Sequence, residues 1–197
     1  MTGSIITSPA PYHILAYGTL VGTSFFHTFV NSPILFTNTE RPVFSVIQTK
    51  IFPIYFGLQT ALPAILALTF PGSTLLAAPN GFSTLLHESN RWGSLVPIAT
   101  MFVSGVLNMV VLLPASRAVM KQRQGQGPYT LEDDIGEFAN HAVAKRDGKQ
   151  WYDEGPHSDE MRALSKRFGM LHGISSLLNL AVLIGSITYG FTLGARL

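Results

Sequence analysis

The sequence predicts an all-α integral membrane protein: a four-helix up-down-up-down bundle with an amphipathic helix on its cytosolic side. Three observations predict it. Hydrophobic residues make up 47% of the chain and charged residues 12%, where a soluble domain carries about 25% charge. The charges are segregated, leaving 12–36, 51–71, 93–113 and 168–194 without any. At about 1.5 Å per helical residue, each run can cross a hydrocarbon core of about 30 Å. The whole chain, 1–197, reads as one transmembrane domain. With no cysteine there is no disulfide framework, thiolate metal site or cysteine nucleophile.

The run 12–36 reads as a retained helix, because the first ten residues carry no Lys or Arg and the apolar stretch outlasts a signal-peptide core. Gly18 and Gly22 have the GxxxG spacing of close helix contacts. His27 and Asn31, four apart, share a face. A polar connector over 37–50 follows, with Pro42 and the segment 44–48 predicting a tight turn. Pro53 then suits the first turn of the second helix. Pro63 should kink that helix, and Pro71-Gly72 should end it, with 73–78 an interfacial extension. Trp92 beside Arg91 reads as an interfacial anchor, and Pro114 should close the third run. The long connector, 115–166, contains a capping box at Thr130 and Asp133. An apolar stripe of Leu131, Ile135, Phe138 and Ala142 after it predicts an amphipathic helix. Ser158 should cap another helix whose face carries Met161, Leu164, Phe168 and Leu171, so the fourth membrane helix is expected to begin near Asp159.

Of the thirteen Lys and Arg residues, Arg91 and Arg196 fall on one side of these spans and the other eleven on the opposite side. The positive-inside rule puts the eleven in the cytosol and both termini outside it. Counted at 1.5 Å per residue, His27 and Asn31 lie about 14 and 8 Å from the cytosolic end of their helix, and Asn108 about 9 Å. His172, Ser175, Ser176 and Asn179 lie about 6 to 17 Å in from the same side, where Gln48 and Lys50 also stand. The other half is expected to be almost purely apolar, apart from His13 and Tyr17. Gln48, Lys50, Asn108, His172, Ser175, Ser176 and Asn179 are therefore the candidate polar pocket, with His13, His27 and Asn31 as weaker members. Such residues most often hydrogen-bond between helices; a cytosol-facing pocket for a headgroup, ion or small molecule is the second reading, and a metal or haem site on His27 and His172 the third.

No span carries a carboxylate, no serine–histidine–acid spacing stands out and no glycine-rich phosphate loop is present. Catalytic residues, a metal site and a resident cofactor are not expected. The lipid bilayer and membrane-protein partners are expected, and nucleic acid is not.

Three stretches resemble the transmembrane protein 205 family of four-span eukaryotic membrane proteins: His13-Ile14-Leu15 with Gly22 and Thr28-Phe29-Val30; the segment 44–56; and Met161-Arg162-Ala163-Leu164 running through Phe168 into 172–180. Pro114 with Met120 resembles the family's exit from helix 3. The resemblance implies an internal membrane of the secretory pathway, most naturally the endoplasmic reticulum, and an association with resistance to platinum compounds. It implies no catalytic residues. A mitochondrial membrane is the alternative location. Three functions follow in order of weight: a non-enzymatic accessory or scaffold subunit; a binder or exporter of a small molecule or lipid through the polar pocket; and a haem-binding redox protein using His27 and His172.

Overall fold

In the computed structural model, residues 8–72, 81–125 and 149–196 are described. The amphipathic helix expected from 131 and the extension expected over 73–78 lie outside the described residues. Four long helices carry the fold: α1 (9–38), α2 (Arg41–Leu68), α3 (Glu88–Gly125) and α4 (Asp159–Gly194). A short turn, Phe82–Leu85, precedes α3. No strand occurs among the described residues.

Local chemistry sets these ends. Ser8 caps α1, its hydroxyl accepting from the Ala10 N–H at 3.4 Å, and Pro9 follows it, a position where a missing N–H costs nothing. Helix α2 starts at Arg41, not near Ile51. The expected turn at 44–48 is helical, because Pro42 already starts the helix, and the join to α1 shrinks to Thr39 and Glu40. Pro53 thus sits inside α2 rather than in its first turn. Ser158 caps α4 as its pattern predicts, accepting from the Met161 N–H at 3.1 Å, and the helix begins at Asp159.

Pro114 does not end α3, which continues to Gly125. A π-helical turn, Asn108–Leu112, stands just before it. The same arrangement recurs at Arg91–Leu95 before Pro97 and at His27–Asn31 before Pro33. In all three cases proline follows the π turn by two residues, and the wider turn makes room for a ring that would clash with a regular one.

The chain divides into two compact units, one of Met1–Val111 with Ser175–Leu197 and one of Leu112–Ile174. In the first unit every neighbouring helix pair runs antiparallel. His13 and His27 on α1 meet Thr69 and Tyr55 on α2. Gln59 on α2 backs onto Gly105 on α3. Asn90, Met101 and Asn108 on α3 meet Arg196, Ser186 and Asn179 on α4. His13 and Tyr17 meet Tyr189 and Ser186 of α4. An apolar core of Leu20, Leu66, Phe70, Met101, Val182 and Tyr189 lies among them.

Burial here is inverted relative to a water-soluble protein. On α1 the buried positions His13, Ala16, Leu20, Ser24 and His27 follow a heptad-like spacing, while Leu15, Phe25, Phe26 and Phe29 face outward. Gln59 and Asn108 have no exposed surface, whereas Phe191 is 79% exposed. Lipid tolerates that arrangement and water does not. Helices α2, α3 and α4 are long and apolar enough to cross a membrane. Helix α1 is not in that set, because Thr19, Thr23, Ser24, His27, Thr28, Asn31 and Ser32 dilute its apolar residues. Among the described residues, three of the four expected spans are thus long and apolar enough to cross.

Candidate functional site

Polar side chains gather at two levels of the first unit. At the first, His13 lies buried between three helices. The Thr69 hydroxyl donates to the Ile65 carbonyl at 2.7 Å, so it accepts from His13 Nδ1–H at 2.9 Å. That assignment leaves Nε2 as an acceptor, and the Tyr189 hydroxyl donates to it at 2.6 Å. Tyr17 packs edge-on against Tyr189 and donates to the Ser186 carbonyl at 3.2 Å. Nearby, Arg196 bonds the Asn90 side chain and lies over the Phe70 ring at 5.0 Å. The expectation of an end almost purely apolar apart from His13 and Tyr17 is corrected here, because Thr69 and Tyr189 bond His13, Arg196 bonds Asn90, and Ser94 Oγ on α3 is buried without a partner. The sequence conceals the His13 network because its members come from residue 13, residue 69 and residue 189.

The second level leaves more of its buried polar atoms without partners. The His27 ring lies 4.3 Å from the Tyr55 ring. Asn31 sits 3.1 Å from His27 Nδ1 and Ser32 3.4 Å from Nε2, a reach that the π turn provides by bonding the Ser32 N–H to the His27 carbonyl. One turn along α2, Gln59 donates to the Tyr55 hydroxyl at 2.8 Å. Pro63 has no N–H to offer the Gln59 carbonyl. Helix α3 comes close just there: a Cβ on Gly105 would stand 2.5 Å from that oxygen. One turn further along α3 is Asn108, which the antiparallel run brings level with Tyr55. Its amide donates to Asn179 at 3.1 Å.

Three buried atoms at this level have no hydrogen-bond partner: Ser24 Oγ, Gln59 Oε1 and Asn108 Oδ1. Turning either amide over exchanges which atom is left, without removing the deficit. A buried polar group without a partner costs about 1–3 kcal/mol. This layer of Ser24, His27, Tyr55, Gln59, Asn108 and Asn179 is the candidate site. It offers buried amide and hydroxyl groups and aromatic faces, and no Asp, Glu, Lys or Arg. Among the described residues no three His, Asp or Glu come together as a metal ion requires.

Of the residues expected to form one pocket, Asn108 and Asn179 meet, and His27 and Asn31 stand beside Tyr55 through the His27 ring. Gln48 is buried in α2 with Oε1 unpartnered. Lys50 and Ser176 are exposed and Ser175 is half-buried. His172 belongs to the second unit, exposed and stacked on Phe168. Depth along a helix groups these residues, and the direction each faces separates them. Gly18 and Gly22 face open space, with nothing within 4 Å of an added Cβ, so the GxxxG pair makes no helix contact in this unit. Tyr55 and Gln59 are absent from the expected pocket, though two polar residues four apart in an uncharged run are a readable signal.

The family model described as Domain of unknown function (DUF4149) matches residues 15–125. The chain is also 26% identical over 192 residues to Xanthocillin biosynthesis cluster protein D from Aspergillus fumigatus, covering 98% of this chain and 93% of that relative. No solved structure matches. Nothing in these comparisons points to the transmembrane protein 205 family. The stretches that carry that resemblance are mostly apolar helix, and lipid selects the same apolar residues in unrelated proteins. The endoplasmic reticulum and platinum resistance were implied by it alone and fall with it.

Proposed function

The chain belongs to the DUF4149 family, and on that premise we propose that it is a non-enzymatic membrane protein holding a small hydrogen-bonding molecule in the polar layer. The observation that carries this reading is the set of unpartnered buried atoms on Ser24, Gln59 and Asn108. They call for a guest that forms hydrogen bonds, such as a hydroxyl or amide compound, with an apolar remainder suited to Tyr55 and to Phe56, whose ring packs against it at 5.5 Å. In this reading α1 crosses the membrane with the other three helices as a four-helix bundle, since its polar face is buried and its outer face apolar. The eleven basic residues then face the cytosol and both termini lie opposite. A relative named for a biosynthesis cluster supports a place beside small-molecule production, with the protein acting as an accessory component.

Native mass spectrometry of the protein released from lipid nanodiscs tests the reading. A stoichiometric small molecule should accompany the protein and be lost from Gln59→Leu and Asn108→Leu. Release of the bare chain under conditions that retain bound lipid would refute it, leaving the layer as helix-packing structure.

A further inference from the structure

The second unit contains a buried cation with no counter-charge among the described residues. Arg123 is 8% exposed, and its Nε is buried without a hydrogen-bond partner. The guanidinium carbon lies 4.8 Å from the Trp151 ring centre and 5.0 Å from that of Phe168. Tyr152 packs edge-on against Trp151, and His172 stacks on Phe168 at 6.1 Å. Tyr152, Trp151, Arg123, Phe168 and His172 thus form one run of planar groups. Val119, one turn before Arg123, and Met161 are almost wholly buried, so the guanidinium belongs to a unit with an apolar interior. Asp159 is paired with Arg162.

Aromatic faces recover part of what desolvating a guanidinium costs, but an unpaired buried charge still calls for an anion. The guanidinium fork matches oxyanions, which it can grip with two parallel hydrogen bonds. Trp and Tyr beside a basic group are the residues found at lipid-headgroup depth.

We propose that Arg123, framed by Trp151 and Phe168, binds a phosphate-bearing anion, supplied either by a lipid headgroup or as free phosphate. The proposal is independent of the polar layer in the first unit.

Trp151 makes the test direct. The chain has two tryptophans, and Trp92 is 78% exposed, so Trp92→Phe leaves Trp151 as the only reporter. The full-length variant is placed in phosphatidylcholine nanodiscs and its emission followed during titration with inorganic phosphate. A parallel series raises the phosphatidic acid content of the discs. A saturable change in either series, abolished by Arg123→Gln, supports the site. A response to phosphatidic acid alone assigns the lipid source, and a response to inorganic phosphate assigns the free anion. Arg123→Lys keeps the charge and loses the fork, and should bind about tenfold more weakly, a difference of about 1.4 kcal/mol; it decides the matter if the glutamine variant does not fold. No saturable change in either series, or affinity unaltered in the lysine variant, would overturn the proposal.

Discussion

The Tyr189 hydroxyl donates to His13 Nε2 at 2.6 Å, joining the first and last helices of the chain across 176 positions of sequence. Thr69 holds the other ring nitrogen, so one imidazole fixes three helices at a common level.

Tyr189→Phe removes the donor while keeping the ring. His13 Nε2 then stays buried without a partner, and the protein should lose about 0.5–2 kcal/mol, the range measured for hydrogen bonds between membrane helices. Chemical denaturation in mild detergent reads the loss. A variant as stable as the wild type would mean that the bond contributes no net stability.

Gly105→Ala should be costly out of proportion to its size. The added Cβ would stand 2.5 Å from the Gln59 carbonyl oxygen and 2.9 Å from the Thr60 nitrogen, and neither backbone atom can turn away. A loss of about 1–3 kcal/mol is expected, as for overpacking elsewhere. Gly22→Ala meets nothing within 4 Å and should be neutral. Melting temperatures of the two variants, measured side by side, check the contrast.

Asn108 and Asn179 should behave as a coupled pair. Replacing either by Leu strands the other amide, while replacing both removes the need for either. The double variant should therefore be more stable than the sum of the two single losses predicts, by about 0.5–1.5 kcal/mol. Additive losses in a double-mutant cycle would show that the bond at 3.1 Å contributes nothing.

Because the chain has no cysteine, single cysteines can map its path through a membrane. Asn38→Cys and Ser89→Cys flank α2 and should react with an impermeant maleimide from opposite faces. Ala10→Cys should label from the same face as Ser89→Cys if α1 crosses. Labelling of Ala10→Cys from the Asn38 side would leave α1 as a helix that does not span.

Several features of this fold are legible in local sequence pattern: the capping serine at 158, the long uncharged runs behind α2, α3 and α4, and the shared depth of Asn108 and Asn179. Prolines mislead about helix ends. Pro53 and Pro114 look like boundaries, yet α2 begins earlier and α3 continues, because Pro42 already starts α2 and a π turn accommodates Pro114. Lys50 and Ser176 share the depth of the site but face outward. Depth fixes height along a helix and leaves open which way a residue faces.

At least three membrane-grade helices follow from the sequence alone, since a run of about twenty or more residues without charge satisfies its own backbone in lipid as a helix. Which polar groups are paired is a matter of tertiary packing. His13 finds Thr69 and Tyr189, while Gln59 and Asn108 each keep an atom without a partner. Those outcomes depend on helix register and on the angle at which each side chain leaves its helix. Both are set where Gly105 lets α3 lie against the carbonyl that Pro63 leaves free on α2, a contact between residues that local sequence does not connect.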